Sequence, residues 1–547
     1  MTSWNFADVW ETVAATLPDA PAQIHGDERS TWAEFERRAD ALAAWLLAEG
    51  VEEGETFAQY LYSAPPYLEA VFAAFKLGLP PINTNYRYGP AELAYLWDNA
   101  DVGTVVFHGE FTDTIASMLD RVPGVRRWIW VDDGHGPCPE WATDHADIVG
   151  AVAVEPDAPP PTPTRPPWGR SPDQLYLVYT GGTTGLPKGV MWRQDDLFAV
   201  LNQAAAVRHP ADGGLEGVAA SLMKPGPTHL TAAPLMHGTG AFSSFMALSS
   251  GGCVVTLVGR RFDVVEVLDT IEREQVKSVA IVGDAFAKPL LAALDAEPGR
   301  WDISSLRVMT SSGVMWSAPV KQGLLRHAPK LLCVDTLGSS EAVGMALSVT
   351  SAEGERGGGS SGGTASFSLG ENTKVITDDG REVLPGSGDV GMVAIRGRVP
   401  LGYYKDPEKS KATFREIQGS RWSIPGDYAT VEADGSLKLL GRGSVCINTG
   451  GEKVYPEEVE EAVKGHPDVV DAVCVGVPDE RFGEAVVALV ELRPGAELDE
   501  GAVIATVKQQ LASYKAPKRV HPLGSLARAA NGKADYKALK QLASDLS

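Results

Sequence analysis

Apolar positions recur along this chain at two spacings, and the switches between them mark its organisation. In the first 150 residues, helix-spaced apolar positions at Glu69 to Leu77 and Pro90 to Asn99 alternate with a short strand pattern at Val105 to His108. Pro90 suits a first helical turn, and Leu93, Leu96 and Trp97 give that helix one apolar face. A proline-rich stretch at 155–168 reads as an exposed connector. Leu175 to Tyr179 and Val190 to Trp192 then read as strands. A second strand-and-helix rhythm runs from about 227 to 345 and includes the helix Val264 to Glu274 and the strand Ser278 to Val282.

Beyond the glycine-serine stretch Gly354 to Gly363 the texture changes to short strands and turns. Thr373 to Ile376, Gly391 to Arg396, Tyr428 to Val431 and Ser436 to Leu440 predict a small β-rich subdomain. Gly441-Arg442-Gly443-Ser444 introduces a last block with helices at Pro456 to Val463 and Gly501 to Leu511 and strands at Val473 to Val477 and Ala485 to Leu492. No internal repeat is visible. The expectation is an α/β protein: a large N-terminal domain, 1–441, of layered α/β subdomains plus the β-rich subdomain, and a small α+β C-terminal domain, 442–547.

With 547 residues, 44% of them hydrophobic, the chain exceeds one ordinary domain. Its 48 Lys and Arg against 71 Asp and Glu leave a formal charge of −23, which disfavours a general binder of nucleic acid or anionic membrane. Any anionic ligand must be held by local donors. Five scattered cysteines form no Cys-x-x-Cys pair and fit a reduced cytosol. Neither a signal peptide nor a membrane-spanning run is visible, so a soluble cytoplasmic protein is expected.

Tyr179-Thr180-Gly181-Gly182-Thr183-Thr184-Gly185-Leu186-Pro187-Lys188-Gly189-Val190 carries the strongest chemical signal: four glycines, three threonines and a lysine in twelve residues. Glycines bring backbone amides close to a ligand, and hydroxyls and an ammonium add donors, a combination suited to polyphosphate. This is not the Walker A pattern, since Lys188 lies between Pro187 and Gly189. A ligand-free hairpin is the alternative, but hairpin loops need roughly two to five residues and this one has about ten.

Other signals are weak singly. His237, among Pro234, Leu235, Met236, Gly238, Thr239, Gly240 and Ala241, either lines an apolar pocket or is an ordinary core histidine. Asp335-Thr336-Leu337-Gly338-Ser339-Ser340-Glu341 offers oxygens that suit Mg²⁺, or forms a polar turn at a strand end. Asp427, in Ser423-Ile424-Pro425-Gly426-Asp427-Tyr428, can accept both hydroxyls of a ribose diol, or is a turn aspartate. Lys533, in Arg528-Ala529-Ala530-Asn531-Gly532-Lys533, reads alone as a solvated surface charge on a turn.

In this order and over nearly the whole chain, these segments resemble the adenylate-forming superfamily of acyl-CoA synthetases, luciferases and peptide-synthetase adenylation domains. The resemblance implies that Thr180, Gly181, Gly182, Thr183, Thr184, Gly185 and Lys188 hold the phosphates of ATP, with Thr183 among the catalytic donors. It implies that Ser311, Ser312 and Gly313 lie against adenine, that Asp335 to Ser340 line the nucleotide, that Glu341 holds Mg²⁺, that Asp427 holds the ribose, and that Arg442, the arginine of the interdomain Gly-Arg motif, also contacts the nucleotide. Lys533 matches the lysine of the C-terminal Gly-Lys motif, Ser444 a hinge position, and Asn448 to Lys453, with Gly450, Gly451 and Glu452, the loop shaping the pantetheine tunnel of CoA. His237 matches the gate of the acyl pocket. Gly238, Gly240, Ala241, Gly313, Val314 and Leu337 would leave that pocket roomy and apolar, with no charge for an amino-acid substrate.

The implied reaction joins a carboxylic acid to ATP-Mg²⁺, giving acyl-adenylate and pyrophosphate, before a thiol displaces AMP after the C-terminal domain has rotated. The phosphate-loop ending and Gly441 to Glu460 look most like actinobacterial acyl-CoA synthetases that act on bulky or terpenoid acids. Four positions depart from the pattern: Leu337 for tyrosine, Ser340 for threonine, Ser444 for aspartate or lysine, and Ala529 for threonine or serine. They raise an alternative, thioesterification of an acyl-adenylate supplied by a separate adenylating enzyme. Transfer to a carrier-protein thiol, a nucleotide-binding pseudoenzyme and luciferase-like oxidation are further alternatives. Retention of Lys533 and Glu341 counts against the pseudoenzyme, and only the shared fold speaks for the oxidation.

Overall fold

The structure, a computed structural model, describes residues 3–546 except 151–162, 181–186, 314–315, 357–365, 443–444, 450–451, 480–482, 512 and 530–531. The chain forms two compact units. The first comprises 1–281, 292–310 and 398–414, and the second 282–291, 311–397 and 415–547.

The first unit contains two sheets. One has strands in the order Gly402–Tyr403, Lys188–Arg193, Leu175–Thr180, Pro81–Asn83, Thr56–Tyr60, Val102–His108, Arg127–Val131 and Thr143–Asp144. Its middle is parallel, and its strands read as continuous buried runs, as expected of a sheet covered on both faces. The hairpin Leu175–Thr180 and Lys188–Arg193 is antiparallel. The other sheet brings Pro21–His25, Cys253–Thr256, Thr228–Thr231 and Ser278–Ile281 into parallel register. The helices Phe6–Thr16 and Gly238–Ser249 are joined by aromatic contacts of Phe245 with Phe6 and Trp10 at 5.5 and 5.6 Å.

The predicted connector differs from expectation. Its residues 155–162 lie outside the described residues, but 163–170 are docked. Arg170 donates to Asp8 and Glu11, Thr164 to Asp40, and the Trp168 indole to the Leu77 carbonyl. Prolines keep this segment out of regular structure, while its Arg and Thr side chains bind acidic residues of the helices Phe6–Thr16 and Trp32–Ala48. Residues 357–363 of the glycine-serine stretch are likewise outside the described residues.

In the second unit, antiparallel strands run Leu332–Ser339, Ala342–Ser351, Ser366–Leu369, Ser436–Arg442, Asp427–Val431 and Gly391–Arg396. The last block is a sheet buried on both faces. Val469–Asp479 pairs antiparallel with Gly483–Leu492, which pairs parallel with Arg519–Leu523. Alternation sends Ala472 and Cys474 toward the helices Pro456–Lys464 and Glu500–Gln510, and Val473, Val475 and Val477 toward the helix Tyr536–Leu546.

Candidate active site

In the first unit, the phosphate-type loop is carried by the hairpin, with Thr180 opposite Lys188 in register. Gly181, Gly182, Thr183, Thr184 and Gly185 lie outside the described residues. The strand leading into the loop is fixed by Asn83. Its amide accepts from the Tyr179 N–H at 2.7 Å and donates to the Tyr179 carbonyl at 2.8 Å and the Met236 carbonyl at 2.7 Å. One buried side chain therefore holds both the loop strand and the residue before His237. Gly189 allows Tyr179 to cross the hairpin, since a Cβ there would stand 2.6 Å from the ring. The Lys188 ammonium lies 3.2 Å from an Asp406 oxygen and 5.8 Å from the Tyr403 ring centre.

His237, half-buried, is the N-cap residue of Gly238–Ser249. Gly240 serves packing, because a Cβ there would meet the Ala233 and Pro234 carbonyl oxygens at 2.5 and 2.4 Å. Ala241 is buried too, whereas Gly238 is half-buried beside His237. Another histidine anchors this helix: His229 lies between the hydroxyls of Ser278 and Ser243 at 2.9 and 3.0 Å. Burial lowers it to about 4, so it is neutral at pH 7.

In the second unit, Ser311 is fully buried, and its hydroxyl accepts from the Gly283 N–H at 2.8 Å. Ser312 is half-buried and Gly313 exposed at φ +89°, in the left-handed region that glycine enters freely. Val314 lies outside the described residues. Asp335 is buried against the Lys321 ammonium at 3.2 Å. Thr336 and Leu337 continue the strand, and Leu337 packs on the apolar cluster around Ala342 and Val393. Gly338 falls at a register shift, Ser339 pairs with Ala342, and Ser340 and Glu341 form a two-residue hairpin turn. Among the described residues the buried Ser339 hydroxyl has no hydrogen-bond partner, and the Glu341 carbonyl accepts from Ser423 at 2.6 Å.

Asp427 and Arg442 stand directly opposite one another across two antiparallel strands. Glu452 pairs with Thr449 in the hairpin Ile447–Thr449 and Glu452–Val454; Ser444, Gly450 and Gly451 lie outside the described residues. Lys533 is exposed, on a turn closed by Ala529 N–H to Lys533 carbonyl at 2.9 Å and Gly532 N–H to Ala529 carbonyl at 2.8 Å.

Sequence reasoning missed Asn83, Lys321, Ser423 and Arg528. Ser423 and Arg528 stand within the segments quoted for Asp427 and Lys533, but nothing beside any of the four in sequence names its tertiary partner. The only available signal was a polar residue ending an apolar strand, as Asn83 does after Pro81 and Ile82.

The profile of the AMP-binding enzyme family matches residues 10–404, and that of the AMP-binding enzyme C-terminal domain matches 458–533. The chain is 39% identical over 550 residues to 3-oxocholest-4-en-26-oate--CoA ligase of Rhodococcus rhodochrous, covering 97% of this chain and 95% of that one. It is 38% identical to medium/long-chain-fatty-acid--CoA/3-oxocholest-4-en-26-oate--CoA ligase of Mycobacterium tuberculosis, covering 98% and 96%. Among solved structures, the anthranilate CoA ligase AuaEII with anthranoyl-AMP shares the fold at TM-score 0.82 and 21% identity, covering 100% of this chain and 98% of that one. ATP-bound MatB from Rhodopseudomonas palustris matches at 0.79 and 25%, covering 99% of both chains. Among the described residues no helix is long and apolar enough to cross a membrane. With its expected motif positions in these places and both family profiles in order along it, the chain belongs to the AMP-binding enzyme family.

Proposed function

We propose that this enzyme is an AMP-forming acyl-CoA ligase that converts a bulky hydrophobic acid, of the polycyclic side-chain-carboxylate class, to its CoA thioester. The observation that carries the acid class is the end-to-end likeness to ligases named for 3-oxocholest-4-en-26-oate. Half-buried His237 and Gly238 agree with an apolar acyl group at that position.

A carboxylate oxygen of the acid attacks the α-phosphorus of ATP, and the bond to pyrophosphate breaks. Two anions approach one another in this step, so fixed cations and donors must offset their repulsion. Lys533 supplies the ammonium. Thr180, Thr183, Thr184 and Lys188 bind phosphate oxygens, Ser311 to Gly313 support adenine, and Asp427 accepts from the ribose hydroxyls. Residues 442–547 pivot about Ser444, bringing Gly450 to Glu452 toward the pantetheine arm. The CoA sulfur then attacks the acyl carbonyl, and AMP leaves.

The Glu341 turn fits Mg²⁺: it brings a carboxylate two residues after Ser339, whose buried hydroxyl has no partner among the described residues, and such oxygens suit an ion that would arrive with phosphate and water ligands. When bound there, the ion neutralises phosphate charge. Two departures from the family pattern are compatible with full adenylation. Leu337 packs into an apolar cluster, and the turn at Ala529 closes through backbone groups that need no side-chain hydroxyl.

Two reactions test the proposal, read by mass spectrometry for acyl-CoA. One contains fatty, aryl and polycyclic acids with ATP, Mg²⁺ and CoA; the other contains preformed acyl-adenylates with CoA alone. Polycyclic acyl-CoA in both is expected. Product from adenylates alone would assign adenylation to another enzyme, and silence in both would move the acceptor to a carrier-protein thiol.

A further inference from the structure

The turn bearing Lys533 is docked onto the C-terminal sheet by a charge cluster of Arg528, Asp471 and Glu491. Strand Val469–Asp479 shifts register between Val469 and Asp471, a bulge that leaves Asp471 opposite Glu491. The Arg528 guanidinium grips Asp471 through two bonds, Nε to Oδ2 at 2.5 Å and Nη2 to Oδ1 at 3.0 Å. It also donates to the Ala472 carbonyl at 3.1 Å and the Gly532 carbonyl at 3.2 Å. Glu491, across the bulge, accepts from the Leu526 N–H, and the Leu526 side chain is buried beneath. Ala527 sits at φ +48°, a left-handed conformation unfavourable for alanine, so its neighbours hold it there.

We propose that Arg528, anchored by Asp471, is a positioning residue for the adenylation half-reaction: it ties the peptide unit before Lys533 to the bulged strand. The inference rests on the role assigned to Lys533 above. An Arg fork suits the task because its planar donors reach a carboxylate and two carbonyls at once, which a lysine ammonium cannot reproduce in the same geometry. The four-carbon stem of Lys533 is flexible, so the protein fixes its ammonium mainly through the backbone that carries it. A displacement of about 1 Å at a reacting group can cost about 10²-fold in rate. Thioester formation does not use that ammonium in the proposed scheme and is insensitive to the displacement.

The test measures both half-reactions for the full-length parent, Lys533→Ala, Arg528→Ala, Arg528→Lys and Asp471→Asn. Acid-dependent exchange of pyrophosphate into ATP reads the first, and acyl-CoA from preformed acyl-adenylate reads the second. Arg528→Ala is expected to lower the exchange kcat about 10²-fold, with the KM for ATP little changed, and to leave the second half-reaction within about twofold. Arg528→Lys and Asp471→Asn are expected to share that asymmetry at smaller size. Loss of exchange in Lys533→Ala but not in the Arg528 and Asp471 variants would overturn the positioning role alone. Full exchange in Lys533→Ala would overturn the reading beneath it. Equal losses in both half-reactions across the Arg528 and Asp471 variants would make the cluster a structural tie of the domain and overturn the proposal.

Discussion

The strand that enters the phosphate loop and the turn that carries Lys533 are held by different means. Leu175–Thr180 lies inside a mixed sheet, between a parallel and an antiparallel neighbour, and its last residues are fixed by a buried neutral amide reading backbone groups, Asn83. The Lys533 turn follows the last strand of a smaller sheet and is tethered by Arg528, Asp471 and Glu491. A loop that binds phosphate benefits from a scaffold that does not change. Under the role proposed for it, Lys533 can ride on a tether of a few charged contacts, which hold it firmly without embedding it in a core.

Replacing Asn83 tests this contrast with the largest effect. Asn83→Ala removes three buried hydrogen bonds and leaves the Tyr179 N–H and two carbonyls without that partner. At about 1–3 kcal/mol for a stranded buried group, the first unit should lose several kcal/mol. Chemical denaturation reads the loss, and surviving protein should be slowed in both half-reactions. A defect confined to adenylation would erase the distinction from Arg528→Ala.

The second effect lies within the C-terminal domain. Glu460 is buried, with its Oε1 accepting from the Cys474 N–H at 2.9 Å and the Tyr536 hydroxyl at 2.8 Å. Burial pushes its carboxyl up to about 7 from 4.5, against the opposing pull of the Cys474 N–H, Lys464, Arg528 and Tyr536. A raised carboxyl binds its proton more tightly folded than unfolded. Its contribution to stability is therefore complete below pH 4.5 and is lost as pH rises through about 7. The cumulative loss is about 3 kcal/mol. In Glu460→Gln, unfolding curves between pH 4.5 and 8 should lose this slope, and the variant should exceed the parent at pH 8. An unchanged slope would mean that the tether's neighbourhood does not carry the buried charge described here.

Periodic elements were the most legible part of the sequence. The helix Pro90–Asn99 and the strands Thr373–Ile376 and Gly391–Arg396 fall at their expected bounds, because each is a compact apolar pattern with clear turn residues beside it. The connector reads as exposed in the sequence: its prolines signal irregular backbone, but no local pattern shows that Thr164 would seek Asp40, 124 residues away. The same limit hid Asn83, whose partners lie 96 and 153 residues away, and Arg528, 57 residues from Asp471. Within the second unit, the register that sets Asp427 opposite Arg442 joins two positions expected among the nucleotide-binding residues. Motifs show which groups do chemistry; the groups that aim them act through tertiary contacts that carry no spacing signal.

The smallest effect should come from a charge on the phosphate side. Lys188 and Asp406 form an ion pair whose side chains are 37% and 34% exposed, so water and salt screen much of their attraction. Such pairs contribute about 0–1 kcal/mol. Asp406 is also the N-cap of the helix Pro407–Thr413, accepting from the Lys409 N–H at 3.0 Å. That N–H is the largest cause of its lowered carboxyl, followed, against partial burial, by Lys188. Asn keeps the cap while removing the charge. Asp406→Asn should therefore shift stability by less than about 1 kcal/mol and leave thioester formation from preformed adenylate unchanged. If neutral packing and backbone-directed hydrogen bonds hold this side, losing one peripheral charge leaves the loop strand in place. An adenylation defect as deep as that expected of Arg528→Ala would show that charge positions both sides alike, and the contrast between scaffold and tether would fail at its weakest point.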